Sequence, residues 1–402
     1  MRRLSPARLL VSLIASGIAA RAGAQPSFAG EALRWDLRAE LGGEYDSNVH
    51  RSEIVRGAGS SPAAAPMAPA IVGSPLARAA ISGHLSDAVG RGQRLMLSAT
   101  LAGKLFTAAA ARDEDVAIAD SGGRWQLALG ADTAIGAQAL YYEAFQRTSG
   151  DAGPGENAGE NRRDFRSLTP TVHFDRRLTG NTVLVAAAGY RWFVFKPNLD
   201  FDFTAPVGAL DLRWSREPID DGAASADWEL TAGASAERRA FEGRAISSNP
   251  TTPPPAPPLR RDTFLVGHLE LTRVGAVLIG AGYALHWNDS NSYGESLTRH
   301  LATLRFATAL PFDSYLAARA ELILAQYRDP VAIAQGAMPG TLLSIEDENR
   351  SSLRVDLSRA LADRVLLLAR YTLYANELGV SSPVARYRRQ TAMLSLAFTL
   401  EK

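Results

Sequence analysis

The residues in this chain best suited to chemistry are its histidines and two short acidic runs. The six histidines are His50, His84, His173, His268, His286 and His300. Hydrolysis through a side-chain nucleophile would need one of them as base beside a Ser or Thr, with a third group to orient it. No G-x-S-x-G elbow, HExxH pair or EF-hand loop provides that arrangement. Asp113-Glu114-Asp115 and Glu346-Asp347-Glu348 offer the carboxylate oxygens that hard cations such as Ca2+ prefer. Runs of this kind at loop–strand junctions are ordinarily solvated charge. Gly150 to Gly159 and Pro250 to Pro258 contain no phosphate-binding spacing, and Pro253 to Pro258 reads as an extended spacer. Cysteine is absent, which excludes disulfides, thiol catalysis and cysteine-ligated metals. With 43 basic and 42 acidic residues there is no electrostatic footprint for nucleic acid. The expectation is a non-enzyme with no catalytic residues, no cofactor and no metal.

Chemistry aside, the sequence is organised by export and by period-two alternation. Arg2, Arg3 and Arg8 precede an apolar stretch from Leu9 to Ala20, and Ala22-Gly23-Ala24 forms an A-x-A cleavage site. This pattern predicts a signal peptide over 1–24, cut before Gln25. A short segment, 25–32, then leads into a single unit over 33–402. No later window is apolar enough for a spanning helix, but a strand between lipid and water alternates and escapes that test.

The alternation is plain in four stretches. Leu33, Trp35, Leu37, Ala39 and Leu41 oppose Arg34, Asp36, Arg38 and Glu40. The same pattern runs from Asp227 to Glu237, from Leu353 to Ser358 and from Thr391 to Leu400. A helix cannot gather such a set on one stripe, whereas a strand places them on opposite faces. About sixteen strands are predicted, at 33–46, 76–86, 93–106, 118–130, 133–147, 164–178, 181–196, 202–216, 226–243, 262–273, 275–288, 298–309, 313–328, 348–361, 363–377 and 386–400. Small residues blur the pattern in 76–86 and 118–130. Mostly tight links follow even-numbered segments, and long stretches near 47–75, 148–163, 244–261 and 329–347 follow odd-numbered ones. Short turns on one rim and long loops on the other predict an all-β fold, a transmembrane antiparallel up-and-down β-barrel. Aromatics agree with two interfacial girdles. Trp35, Trp125, Trp214 and Trp228 fall toward short-turn ends, and Trp192 and Trp287 toward long-loop ends.

The polar face of this register would line the interior. It carries Arg34, Arg38, Glu40, Arg94, Lys104, Asp211, Arg213, Glu229, Glu237, Glu270, Arg319, Glu321, Arg354, Asp356 and Arg370. His173, His268 and His286 fall on the same face. Charges of both signs suit a hydrated pore, or alternatively a paired network that rigidifies the barrel.

At Tyr45-Asp46-Ser47-Asn48-Val49 the first strand ends in a motif that resembles the Asp-Ser-Asn-Val signature of exported, porin-like outer-membrane barrels of Gram-negative bacteria. The last strand is similar to the assembly signal of such barrels, with Phe398 near the end, though Thr399-Leu400-Glu401-Lys402 follow it. The resemblance implies location in the outer membrane, insertion by the barrel-assembly machinery, and contact with lipid and lipopolysaccharide, which the acidic runs could bridge through divalent ions. Larger relatives carry a plug or helical repeats before the barrel, and with only 25–32 ahead of the first strand a plugged, energy-coupled transporter is not expected. Two functions remain open at this stage: a channel for hydrophilic solutes or surface polymer, and a structural or docking barrel of a trans-envelope complex with periplasmic partners. An outer-membrane hydrolase ranks last.

Overall fold

The computed structural model describes residues 33–49, 71–146, 164–196, 199–216, 228–246, 256–293, 295–328, 351–375 and 388–401. The proposed signal peptide, segment 25–32, His50, the Gly150–Gly159 stretch, Glu346-Asp347-Glu348 and part of the proline run lie outside them.

The strands are β1 (Arg34–Asp46), β2 (Ser74–Gly90), β3 (Gln93–Phe106), β4 (Val116–Ala128), β5 (Thr133–Gln146), β6 (Phe165–Thr179), β7 (Thr182–Phe195) and β8 (Phe203–Ser215). They continue as β9 (Trp228–Arg244), β10 (Leu259–Arg273), β11 (Val277–Ser290), β12 (Leu297–Leu310), β13 (Ser314–Tyr327), β14 (Ser351–Ala362), β15 (Val365–Ala375) and β16 (Arg388–Glu401). Each of the sixteen predicted segments is a strand. The largest boundary difference is at β2, which continues past residue 86 to Gly90. There, small residues on both faces hide the period.

Each strand pairs antiparallel with its sequence neighbours, and β1 also pairs with β16, so the sheet closes. Closure satisfies the ladder groups that an open edge would leave bare, which hydrocarbon cannot tolerate. With strands about 4.8 Å apart and tilted about 40°, sixteen of them enclose a backbone radius of about 16 Å.

The two faces invert the burial of a soluble protein. Outward, Leu41, Leu105, Val172 and Leu304 are 65%, 61%, 62% and 61% exposed. Inward, Asp46 and Asp175 are fully buried, and Glu44, Lys104 and Asp262 nearly so. Most outward charges keep to strand ends: Glu143, Arg166, Asp289 and Arg388 near the long-loop side, and Arg176, Arg273 and Arg359 near the turns, while Arg238 stands six residues in from the end of β9. A midplane charge on lipid costs about 2–4 kcal/mol, which accounts for this placement. Tight links of two to four residues join β2–β3, β4–β5, β6–β7, β10–β11, β12–β13 and β14–β15, all on one rim. In the three-residue β12–β13 link, Phe312 (φ 64°) and Asp313 (φ 52°) adopt positive φ, the sense of turn that matches strand twist.

Candidate functional site

The candidate site is the charged inner wall. Register propagates one parity around the closed sheet, so position decides which side chains enter the lumen. All fifteen lumen-face residues named from the sequence take inward positions: Arg34, Arg38, Glu40, Arg94, Lys104, Asp211, Arg213, Glu229, Glu237, Glu270, Arg319, Glu321, Arg354, Asp356 and Arg370. His173, His268 and His286 do the same, as does His84. His300 points outward, where it meets the Tyr283 hydroxyl at 2.7 Å. The six tryptophans are all outward: Trp35, Trp125, Trp214 and Trp228 toward the turn ends, Trp192 and Trp287 toward the loop ends. Trp125 donates its indole N–H to Gln93 (3.2 Å), and Arg273 lies 5.7 Å from the Trp228 ring.

Some inward charges are packed away from water. Arg389 grips Asp46 across the β16–β1 seam, with Nε 2.8 Å from each carboxylate oxygen and its ring partner Tyr374 5.3 Å away. The motif around Asp46 adds further ties. The Asn48 backbone N–H donates to Asp46, its side chain donates to the Arg388 carbonyl, and the Ser47 hydroxyl accepts from the Gln390 N–H. The Asp-Ser-Asn-Val segment thus fastens the first strand to the last. Glu44 receives Lys104 at 2.9 Å and Arg78 at 3.5 Å. Asp175 receives Arg124 (3.1 Å) and Gln126 (2.9 Å). Arg260 donates to Asp262 (2.7 Å) and to Glu295 (2.9 Å) in the loop before β12. Burial pushes the Glu295 carboxyl up from 4.5, and Arg260 only partly offsets that.

Glycines allow other pairs to cross an intervening strand. His268 on β10 reaches Asp211 on β8 at 3.3 Å. A Cβ on Gly233 of β9 would sit 1.9 Å from that carboxylate, so only glycine leaves the passage. In the same way Arg305 on β12 reaches Glu270 on β10 across Gly280 and Gly282 of β11. Asp115, from the acidic run, accepts from the Phe106 N–H (2.6 Å) and is occupied in holding the β3–β4 link.

Glu44, Asp46, Arg78, Arg124, Asp175, Arg191, Arg239, Arg260, Asp262, Arg299, Arg305 and Arg389 share the inward face without having been assigned to it from the sequence. Extending the period-two count to the ends of each strand would have found them. An inward aromatic collar at the long-loop end was likewise not assigned from the sequence. Phe165, Phe193, Phe203 and Phe241 are buried there with ring centroids 4.9–5.4 Å apart. Arg239 stacks between Phe203 (5.2 Å) and Phe264 (4.3 Å).

An apolar exterior bounded by tryptophans, a charged interior, a closed antiparallel sheet and tight turns on one rim define an integral membrane β-barrel. No family model matches the sequence, and no curated protein does. Solved structures similar in fold include outer-membrane expressed OmpT of Vibrio cholerae, 13% identical over 93% of this chain and 100% of that one, with a TM-score of 0.41. An anion-selective porin from Comamonas acidovorans is 8% identical over 92% and 99% of the two chains, with a TM-score of 0.42. Salmonella typhi OmpF in complex with daunomycin is 8% identical over 91% and 97%, with a TM-score of 0.45.

Proposed function

We propose that this chain is a porin-like or export channel of a bacterial outer membrane, passing hydrophilic solutes or a surface polymer through its lumen without a cofactor and without catalysis. The long loops then face outward, lipid and lipopolysaccharide surround the belt, and the barrel-assembly machinery inserts it. One observation carries this reading: the inner wall of a sixteen-stranded barrel bears charged side chains on nearly every strand, many of them in contact with water. A wall meant only to be packed would gain more from apolar contacts, since buried ion pairs stabilise little. A barrel of this width leaves an aqueous passage. The test is single-channel recording from refolded protein in planar bilayers. Stepwise conductance is expected. A barrel that shows the heat-modifiable gel shift of a folded protein yet carries no current would overturn the channel and favour a docking role.

A further inference from the structure

Three inward arginines stand side by side on neighbouring strands. Arg305 of β12 is directly opposite Arg319 of β13, and Arg319 is directly opposite Arg354 of β14. Side chains so placed have Cβ atoms about 5 Å apart, and like charges in such pairs repel. The repulsion is moderated by carboxylates set to the side. Arg305 contacts Glu270, Arg319 contacts Glu321, and Arg354 donates to Asp356 at 2.7 Å. Asp356 also receives Arg370 at 2.5 Å, so four guanidinium groups share three carboxylates.

The three arginines are not used up by these contacts. Each engages its carboxylate through one nitrogen, while a guanidinium carries five N–H donors. Their side chains are 21%, 49% and 31% exposed, so the remaining donors meet lumen water. Around them the inward positions are small or hydroxylic: Thr303, Ala317, Ser352 and Thr372. The wider wall has the same sign. Inward positions of β12–β15 hold Arg299, Arg305, Arg319, Arg354 and Arg370, against Glu321 and Asp356.

We infer that the Arg305–Arg319–Arg354 row is a binding strip for oxyanions, the carboxylate or phosphate groups of small solutes. The guanidinium fork matches both groups bidentately, and three forks in line suit a ligand with more than one anionic group. A solute anion replaces water on donors that are already ordered by Glu270, Glu321 and Asp356, so little side-chain freedom is lost on binding. The inference deepens the channel reading and rests on it for its physiological meaning.

The test has an arm that needs no current. Citrate and inorganic phosphate are titrated calorimetrically into refolded full-length barrel in detergent. Saturable citrate binding is expected, weakened about tenfold to a hundredfold in the Arg319→Gln/Arg354→Gln variant, the range for losing charge-assisted hydrogen bonds. Arg359→Gln, an outward charge of the same strand, is expected to bind citrate as the unmodified chain does. The gel shift checks that each variant is folded. In a second arm, the reversal potential under a KCl gradient is expected to show chloride preference that falls in the double variant. Absence of citrate binding, or equal binding by the double variant, overturns the strip and leaves a network that only braces the wall. A barrel that binds citrate without conducting overturns the channel and keeps the strip.

Discussion

Asp46 is the most informative single atom set to perturb, because one isosteric change tests how the barrel closes. Its carboxylate is fully buried and the Arg389 side chain is 5% exposed, so neither charge is hydrated by bulk water. Asp46→Asn keeps the shape and still offers an oxygen to the Asn48 N–H, which now sits 3.0 Å away. It removes the charge that two Nε contacts of 2.8 Å share. Arg389 then loses that carboxylate while staying buried, and removing one partner of a buried ion pair costs about 3–5 kcal/mol. The assay is reversible urea unfolding of the refolded barrel in lipid vesicles. The lipid-facing tryptophans report by fluorescence, because unfolding moves them from hydrocarbon to water. A loss of that size is expected at constant urea slope. Adding Arg389→Met removes the stranded charge and is expected to recover most of the loss, as apolar replacements of whole buried pairs do. If Asp46→Asn lies within about 1 kcal/mol of the unmodified chain, the seam pair is not a buried ion pair in the sense argued. If the double variant is no better than the single one, the cost lies in lost shape rather than stranded charge.

Two further perturbations address the outer face and the loop side. Leu269 is half exposed in mid-β10, flanked outward by Ala232 and Tyr283, and Leu269→Arg is expected to destabilise the barrel by about 2–4 kcal/mol. The same unfolding assay reads it, and an unchanged free energy would place that face away from lipid. Glu295 is protonated more readily in the folded chain than in the unfolded one, because burial raises its carboxyl above 4.5. The folded state therefore holds the extra proton, and stability falls as pH rises from 4.5 toward the higher folded value. Glu295→Gln is expected to flatten that decline between the two values in thermal melts across acidic pH, and an equally steep decline would refute the assignment.

What the sequence disclosed and what it withheld follow from one physical distinction. Alternation is local, since each residue faces lipid or lumen according to its own position, so Leu394, Leu396 and Phe398 could be placed outward without any knowledge of their neighbours. Strand number and loop parity derive from that local rule, and they stand in the structure as expected. Pairing is not local. Asp46 and Arg389 lie 343 residues apart, and nothing in either segment announces the other until the sheet closes. The Arg305–Glu270 bridge depends on glycines at 280 and 282 in a third strand, and the arginine row exists only because two hairpin registers place 305, 319 and 354 abreast. The aromatic collar escaped for a different reason. A rule that assigns polar residues inward has no place for Phe165, Phe193, Phe203 and Phe241, which bury against one another beneath the long-loop rim. A single charge-reversal at position 319 would leave every local signal intact, since Glu alternates as well as Arg does. Yet it would set a carboxylate between two guanidinium groups and abolish the like-charge row, so the property of the wall resides in the register and not in the pattern that reveals the strands.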